Sequence, residues 1–549
     1  MRRWTRCLDK GFVGLILLST VCLTALFTGC GEEDNNETVL RVCNWEEYID
    51  EGDWDDDERI DLDNGESVIG VNPMYEDFEE WYYKTYGKKV KVEYSCFGTN
   101  EDLYNQLTIG DTFDLVCPSE YMIMKLMAED KLIPYSDDFF DRENKDNYYI
   151  NGVSPYIKNI FDTNYIGDGS WGKYAAGYMW GTTGVVYNPE IVSDEDAAHW
   201  NVLTDKKYKR RITVKDNVRD AYFAALGIYK EDLLTKDSFV NADNYEEVFA
   251  EEMNDTSDST IAAVEKILRQ MKDNAYSFET DSGKADMVTG KVVANYQWSG
   301  DAVYTMSQAS EDDISLSYQV PEEGGNLWFD GWVMLKDGIG GDSEKQQAAQ
   351  AFVNYLSRPD NAIRNMYYIG YTSVIAGAPD DDMIIEYAKY NYEAEDEEAE
   401  DEAEDEAEDE VDEDADEESA DEAEDEGGED ADEESADEAE DDEEYIDYDI
   451  SYFFIKSEDG SEAYNGGDDE DISDDISEDD DDEDGDEVDS EADKYVIHAG
   501  ASSETGELGA QYPTLDVIKR CAVMRYFDKE TSEKINKMWV NVRCFNPFE

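Results

Sequence analysis

The chain has 549 residues and a formal net charge of −96, from 140 Asp and Glu against 44 Lys and Arg. This length accommodates two domains and additional segments. The acidic balance excludes a nucleic-acid ligand, because binding to phosphates depends on clustered Lys and Arg, and it favours a cationic partner. With 38 Tyr and 11 Trp, the chain has rings for both a core and a binding site.

The N-terminus has the features of an export signal. A basic start that includes Arg2 and Lys10 precedes an apolar run at 12–27, and small residues then lead to Cys30. The segment Phe27-Thr28-Gly29-Cys30 resembles a bacterial lipobox. We therefore expect 1–29 to be a signal peptide, Cys30 to be lipidated and 30–37 to be a tether. An ordinary cleaved signal or an uncleaved helix is the alternative, although the run is shorter than the ~20 residues of a spanning helix.

Five cysteines follow Cys30, and none of them belongs to a C-x-x-C pair, so zinc and redox chemistry have no support. The first three lie in strand-like runs and are interpreted as small buried hydrophobic residues. A disulfide between the last two remains open. The five are Cys43, Cys96, Cys117, Cys521 and Cys544.

Strand-like and helix-like segments alternate from residue 38 to about 392. Short apolar runs predict strands at 39–43, 90–94 and 113–117. Thr99 is the predicted cap of a helix between the last two, and Ser343 with Gln346 has the spacing of a capping box. A further helix is indicated by apolar residues at helical spacing, which are Ile261, Val264, Leu268 and Met271. Strands that alternate with helices predict parallel α/β sheets.

The composition changes abruptly after Tyr392. Residues 393–444 contain 37 acidic residues among 52, and 468–493 contain 18 more, with no Lys or Arg in either tract. Such tracts cannot bury enough apolar surface to fold, so we expect two disordered insertions. Removing them leaves a net charge of −41, and a folded segment is expected between them at 445–467.

Most catalytic motifs are missing from the sequence. There are two histidines, no phosphate-binding glycine loop and no serine nucleophile elbow, so we expect neither an enzyme nor a cofactor. The pattern from Asp480 to Glu491 matches a calcium loop formally. In so acidic a tract we interpret the match as chance and expect no metal site.

Four clusters combine aromatic residues with isolated polar or acidic residues near predicted strand ends. In an open α/β sheet, ligands bind beyond the carboxyl ends of the strands. A flexible dication needs rings over its methylene groups and carboxylates at its ammonium ends. Core packing is the alternative for any one of these tryptophans. The clusters are Asn44-Trp45-Glu46-Glu47-Tyr48, Pro118-Ser119-Glu120-Tyr121, Tyr296-Gln297-Trp298-Ser299-Gly300-Asp301 and Leu327-Trp328-Phe329-Asp330.

These clusters belong to an ordered set of segments that resembles the spermidine/putrescine-binding proteins, which are substrate-binding proteins of polyamine ABC transporters. The likeness covers about 38–392 and 494–549, and it implies a type II periplasmic-binding-protein-like fold with two α/β lobes. The matching segments are 44–48, 114–121, 180–188, 290–300, 321–330, 352–360 and 369–371.

The resemblance implies a cleft in which Asp330 pairs with an amino group while Trp328 and Trp298 enclose the methylene chain. The other implied cleft residues are Trp45, Tyr48, Ser119 and Tyr121.

The sequence departs from the family at several implied ligand positions. Asp220 fits the second of two family carboxylates, but Asn217 stands where the first is Asp. Glu46 replaces a hydroxyl residue, and Met524 falls where the family has glutamine. These departures leave the choice between putrescine and spermidine open.

The resemblance also implies an organisation and partners. We expect lobe 1 at 38–181 and 326–375, and lobe 2 at 182–325, with crossings near 180–184 and 324–327. Residues 376–392 and 494–549 are expected to complete lobe 2. The expected partners are a polyamine, the permease and ATPase subunits of an importer, and the membrane through the lipid anchor. We expect the exported protein to be a monomer at the outer face of the cytoplasmic membrane or in the periplasm. The alternatives are another small solute for the same fold, or an acidic surface protein that buffers cations.

Overall fold

The computed structural model describes residues 37–242, 244–394, 445–455 and 493–545. The predicted signal peptide, Cys30 and the formal calcium pattern therefore lie outside the described residues. Nearly all of both acidic tracts lies outside them as well. Of the segment predicted to fold between the tracts, 445–455 is described.

The first lobe is built on a parallel sheet. Strand β1 (Glu37–Trp45) lies between β4 (Lys89–Phe97) and β5 (Leu115–Val116) and runs parallel to both. Strands β1 and β4 contain the predicted strands 39–43 and 90–94, whereas β5 is shorter than the predicted strand 113–117 and lies inside it. The helix Asn100–Ile109 follows β4, and the side chain of Thr99 accepts a hydrogen bond from the Asp102 amide, which confirms the predicted cap. Trp45 is the last residue of β1 and Cys117 directly follows β5, so both lie at the carboxyl ends of these parallel strands.

The second lobe repeats this construction with β10 (Ile212–Lys215), which lies parallel to β11 (Ser277–Glu279) and β12 (Ala294–Trp298). Strand β10 is buried along its whole length, as expected for a strand covered on both faces. The helix Asp258–Asn274 carries the predicted apolar stripe, all of which is buried. The ends of β10 and β12 place Lys215 and Trp298 at the same edge of the sheet.

Two long, fully buried strands connect the lobes. Strands β9 (Ala175–Tyr187) and β14 (Gly325–Leu335) pair antiparallel, from Ala175 with Val333 to Thr182 with Leu327. Beyond that point β9 pairs with β12 in the second lobe, whereas the other end of β14 pairs with β5 in the first. The central sheet therefore has the order β11-β10-β12-β9-β14-β5-β1-β4.

The remaining strands are short and lie at the sheet margins or in hairpins. They are β2 (Ile60–Asp61), β3 (Ser67–Val68), β6 (Leu132–Ile133), β7 (Tyr165–Ile166), β8 (Gly169–Ser170), β13 (Ser317–Gln319), β15 (Thr372–Ser373), β16 (Tyr445–Asp449), β17 (Val496–Gly500) and β18 (Cys521–Ala522).

Helices cover both faces of the sheet. Those of eight residues or more are Met74–Tyr86, Asn100–Ile109, Glu120–Ala128, Pro155–Thr163, Val218–Leu234, Tyr245–Glu252, Asp258–Asn274, Ser299–Ser310, Ser343–Leu356, Pro359–Ile369, Met383–Tyr392 and Lys529–Cys544. The shorter α-helices are Tyr148–Gly152, Trp171–Tyr174, Asp194–Ala197, Asp237–Val240, Gly283–Val288, Lys336–Ile339, Ser451–Phe454, Glu507–Gln511 and Leu515–Lys519. Single 3-10 turns occur at Asp56–Glu58, Asp137–Phe140, Trp200–Leu203, Lys206–Tyr208, Asp493–Tyr495 and Ala501–Thr505.

The C-terminal part of the chain contributes to both cores, which corrects the expected organisation. Ile384 and Ile385 of the helix Met383–Tyr392 belong to the core of the first lobe, so placing 376–392 in lobe 2 is wrong. Ile497 also belongs to that core, whereas Met538 belongs to the core of the second lobe. Tyr448 of β16 and Ile497 of β17 are also part of the first core, so this paired segment packs on the first lobe before the chain reaches the second.

Two local predictions also need correction. The helix Ser343–Leu356 is capped one residue earlier than the sequence predicts, because the Asp342 carboxylate accepts hydrogen bonds from the amides of Glu344 and Lys345. Cys96 is exposed, not buried.

The five cysteines after Cys30 are all free thiols in the structure, so Cys521 and Cys544 are not joined. Within the described ranges, every helix is too short or too polar to span a bilayer.

Candidate functional site

A buried carboxylate lies where β14 meets the carboxyl end of the first lobe's sheet. Asp330 is 6% exposed and accepts a hydrogen bond from the Ser119 hydroxyl at 2.7 Å and another from the Tyr48 hydroxyl at 2.8 Å. Burial raises the pKa of Asp330 to about 6, although both hydrogen bonds favour the charged form. None of the described residues forms an ion pair with Asp330. The first wall of the cleft therefore offers one uncompensated carboxyl group.

Aromatic rings surround this carboxyl group. The Tyr371 ring lies 5.3 Å from the Tyr48 ring and 5.5 Å from the Trp328 ring, measured between centroids. The Trp328 indole donates a hydrogen bond to the Thr182 carbonyl at 3.0 Å, which fixes its orientation against the other crossing strand. Burial raises the pKa of both Tyr48 and Tyr371 well above the ordinary tyrosine value. Both hydroxyls therefore stay protonated and donate hydrogen bonds, to Asp330 and Asp301 respectively.

A buried asparagine organises the other side of Asp330. The Asn100 amide donates hydrogen bonds at 3.0 Å to both the Ser119 and Tyr121 hydroxyls, and its carbonyl accepts one from the Ser119 backbone amide at 3.1 Å. Asn100 is the first residue of a helix capped by Thr99. The helix start therefore holds two of the predicted cleft residues in position.

The second lobe presents the start of the helix Val218–Leu234. The Asn217 side chain caps this helix by accepting a hydrogen bond from the Arg219 amide at 2.8 Å. Asp220 lies in the first turn and is 4% exposed. Burial raises its pKa to about 6, against the opposing effects of Lys215, the Trp298 indole and Arg219. The described residues form no ion pair with Asp220.

Trp298 ends β12 beside a cluster of charged groups. The Lys215 ammonium lies 3.9 Å from the centroid of the Trp298 ring and 3.1 Å from Asp301. Asp301 also accepts a hydrogen bond from the Tyr371 hydroxyl of the first lobe at 3.0 Å. Burial raises the pKa of Asp301, but Lys284 and Lys215 outweigh it and lower the pKa to about 2.

Two of the contacts between described residues that join the lobes across the cleft involve side chains of the site. One is the hydrogen bond between Tyr371 and Asp301. The other is made by Arg219, whose guanidinium lies 4.5 Å from the centroid of the Tyr121 ring and 3.7 Å from that of Phe527. Favourable contacts between a cation and a ring are worth about 0.5–2 kcal/mol each. The lobes are therefore closed on each other in this structure.

The contacts connect most of the site residues that the sequence predicts. Tyr48, Ser119 and Asp330 form one hydrogen-bonded group, which Trp328 joins through the Tyr371 ring. Trp298 is linked to it through Lys215, Asp301 and Tyr371, and Tyr121 through Asn100. Asn217 and Asp220 stand on the second lobe at the helix start beside them.

Two of the predicted residues are placed differently. The Trp45 ring packs against Phe97 with a centroid distance of 4.7 Å, and Glu46 is exposed. Among the described contacts, neither reaches the Asp330 group.

Sequence reasoning misses several residues of the cleft. Tyr371 belongs to the matching segment 369–371, and Asp301 ends one of the four aromatic–polar clusters, so the signal for both was present. Asn100 carries only the signal of a helix start. Lys215 and Arg219 have no signal of their own, because a cation is unexpected in a cleft proposed for cations.

Comparison with known proteins identifies the family. A model of the family described as "Bacterial extracellular solute-binding protein" matches residues 74–391. The chain belongs to this family. As a member, it is an extracytoplasmic binding protein for a small solute, and the family is one of transport proteins, not of enzymes.

Relatives of this solute-binding protein carry polyamine names. It is 24% identical over 374 residues to the spermidine/putrescine-binding periplasmic protein of Escherichia coli K12, covering 68% of this chain and 84% of the relative. It is also 24% identical over 358 residues to the putrescine-binding periplasmic protein SpuD of Pseudomonas aeruginosa, covering 62% and 80% respectively.

One solved structure confirms the fold class of this solute-binding protein. A protein from Listeria monocytogenes, whose name refers to a spermidine/putrescine ABC transporter, aligns with a TM-score of 0.52 at 19% identity. The alignment covers 93% of this chain and all of that one. The two-lobed, type II periplasmic-binding-protein-like fold predicted from the sequence is therefore confirmed.

One group of side chains in the described part of this solute-binding protein has the composition of a metal site. His199, Glu231 and Glu323 bring one potential ligand atom each to within 4.8 Å of one another in the second lobe. Both oxygens of Glu323 are already used, by His199 Nδ1 at 2.8 Å and the Trp200 amide at 3.2 Å. The arrangement is that of a hydrogen-bonded pair beside a crossing strand.

Proposed function

We propose that this chain is the extracytoplasmic substrate-binding component of a polyamine ABC importer, and that it binds putrescine or spermidine between its lobes. The observation that carries the proposal is Asp330, a buried carboxyl group without a cationic partner, enclosed by Tyr48, Tyr371 and Trp328. The polyamine names of its relatives support the same cargo.

The chemistry of the cleft suits a slender dication. An ammonium group at Asp330 would form charge-assisted hydrogen bonds, which contribute more than neutral ones. The rings of Trp328 and Tyr371 would cover the methylene groups and attract the positive end. Asp220 on the opposite lobe would receive the second ammonium group. The cation would then be held by both lobes, so it would stabilise their closed arrangement.

The wider context of the proposal comes from the sequence. We propose lipidation at Cys30, attachment to the outer face of the cytoplasmic membrane, and delivery of the cargo by the monomer to permease and ATPase subunits. This chain makes and breaks no covalent bond of the cargo, so it acts as a carrier and not as an enzyme.

The test is a calorimetric titration with putrescine, spermidine and cadaverine. We expect Asp330→Asn to weaken binding by about 10- to 100-fold, because a buried hydrogen bond to a charged group contributes about 1.5–3 kcal/mol. The matched control is Asp130→Asn in the same lobe, where the carboxylate is exposed and pairs with Lys336. This control should bind like the wild type. Absence of binding to all three amines would contradict the proposal.

A second candidate keeps the fold and changes the solute, since Lys215 and Arg219 also face the cleft and could attract an anion. Both cations are already engaged, Lys215 by Asp301 and Arg219 by the rings of Tyr121 and Phe527. A small dicarboxylate in the same titration series separates the candidates, because only the second predicts that it binds.

A further inference from the structure

The cleft already contains one ammonium group, supplied by the protein itself. Lys215 is 1% exposed at the end of β10, where the sheet edge faces the other lobe. Its ammonium group donates to the Thr280 carbonyl at 2.9 Å and to Asp301 at 3.1 Å, and it lies 3.9 Å from the centroid of the Trp298 ring. A carbonyl, a carboxylate and a ring face thus surround it.

This is the same set of partners that an ammonium group of a polyamine needs. Burying a cation is costly unless it is paired and hydrogen-bonded, and Lys215 meets both conditions. Asp301 receives a second cation from Lys284 at 3.4 Å and a hydroxyl from Tyr371 at 3.0 Å. The negative charge of Asp301 is therefore compensated within the protein, and its subsite is occupied.

The other two aspartates of the cleft differ from Asp301. Asp330 accepts hydrogen bonds from hydroxyl groups alone, and Asp220 forms no ion pair with any described residue. One lies on each lobe. Asp330 and Asp220 are thus the two aspartates that remain for an incoming amine, and they match the two ammonium groups of a diamine.

Resting on the proposed function, we infer that Lys215 fills a terminal ammonium subsite at Trp298 and Asp301, and that it thereby restricts the cargo to short diamines such as putrescine. Spermidine carries a third ammonium group. That group would have to displace Lys215 or lie beside it, and like charges at short range repel. Specificity of this kind uses a repulsive element against the wrong ligand as well as attraction for the right one.

The alternative is that Lys215 and Asp301 form a buried ion pair with a purely structural role. Such a pair would affect folding stability when broken, but it would not change the preference between two amines. The ratio of the dissociation constants for putrescine and spermidine therefore separates the specificity role of Lys215 from a purely structural role, whereas a melting temperature does not.

The experiment compares putrescine and spermidine by calorimetric titration of the full chain, as wild type, Lys215→Met and Lys230→Met. Lys230 is the matched control, because it is also a buried lysine of the second lobe and pairs with Asp255 at 3.1 Å. We expect the wild type and Lys230→Met to bind putrescine at least tenfold more tightly than spermidine. In Lys215→Met this ratio should shift towards spermidine by tenfold or more.

The outcomes distinguish this inference from the proposed function. If the wild type binds neither amine, the proposed function fails. If it binds amines but prefers spermidine, or if Lys215→Met leaves the ratio unchanged, the inference fails while the proposed function stands. Should Lys215→Met not fold, the wild-type preference still decides: tenfold preference for putrescine supports the inference, and preference for spermidine overturns it.

Discussion

Asp330 and Asp220 are cleft carboxyl groups whose charge state depends on pH near neutrality. Burial raises the pKa of each to about 6 from an ordinary value of 3.8. A diamine needs both groups ionised, so we expect its affinity to fall as the pH is lowered through about 6. The loss approaches about tenfold per pH unit for each group that must release a proton. Calorimetric titration with putrescine between about pH 5 and pH 8 measures it.

The stability of the unliganded protein changes in the opposite direction. Between about pH 4 and 6 the folded state retains protons on these two carboxyl groups that the unfolded chain has released. Their contribution to stability is therefore largest at acid pH and declines as the pH rises through 6.

The control for the pH dependence of putrescine binding is Asp330→Asn, which lacks one titrating group and should show a shallower pH dependence of binding. A putrescine affinity that stays constant or improves towards acid pH would contradict the predicted loss of affinity.

The sequence identifies carboxylates and rings of the cleft, because both residue types follow predicted strand ends. It does not reveal which of them is already neutralised. Asp301 and Asp330 look alike in sequence, yet Asp301 is paired with two lysines and Asp330 with none of the described residues. Lys215 comes from another strand, and only the folded sheet shows that its ammonium reaches the Trp298 ring.

The crossing strands place both walls of the cleft, and their packing tolerates little change. At Gly181 on β9, an added Cβ would lie 2.2 Å from the Ser299 hydroxyl and 2.7 Å from a ring atom of Trp328. We expect Gly181→Ala to displace the Trp328 ring, to weaken putrescine binding by about tenfold, and to reduce stability by about 1–3 kcal/mol. Titration calorimetry and denaturant unfolding measure the two effects.

Gly98 provides the matched control for this change. It follows β4 in the first lobe, and an added Cβ would approach nothing closer than the Asp102 carboxylate at 3.6 Å. Gly98→Ala should therefore leave binding and stability close to those of the wild type. Wild-type affinity in Gly181→Ala would show that the orientation of Trp328 does not matter for the ligand.

Elements with a strong local signal are predicted well, and those defined by distant contacts are not. The Thr99 cap and the apolar stripe of Asp258–Asn274 are recovered because their determinants lie within one helix. The cap of Ser343–Leu356 is misplaced by one residue, since the Asp342 carboxylate accepts the hydrogen bonds of the Glu344 and Lys345 amides. The lobe that Met383–Tyr392 joins depends on packing against the first core, which no local pattern encodes.

On the scale of the whole molecule, a segment between the two acidic tracts is part of the first lobe. Phe453 is fully buried and stacks on Trp180 of β9 at a centroid distance of 5.7 Å. The Ser154 hydroxyl donates a hydrogen bond to the Phe453 carbonyl at 2.6 Å, and the Tyr452 hydroxyl donates one to the Pro513 carbonyl at 2.8 Å. The chain therefore returns to the core between tracts whose composition predicts no core of their own.

This packing decides how the tracts can be tested as a cation-buffering surface. Deleting 393–493 as one block would also remove 445–455 and its buried side chains. Losing a single buried Phe side chain costs about 3–5 kcal/mol, a large part of the 5–15 kcal/mol by which domains are typically stable. We expect that block deletion to prevent folding, as measured by circular dichroism and thermal unfolding.

Shortening the tracts separately, within 397–442 and 458–491, keeps Phe453 and the pairing of β16 with β17. If the cleft binds the cargo, this double-shortened protein should bind putrescine within about threefold of the wild-type affinity, because a tenfold change requires about 1.4 kcal/mol and the cleft contacts are untouched. If the acidic tracts were a cation-buffering surface, the number of amine-binding sites would instead fall with the number of carboxylates removed. Binding would then largely disappear. Calorimetric stoichiometry adds a second criterion: one amine per chain is expected for the cleft in both proteins, whereas a polyanionic surface would take up many in the full chain.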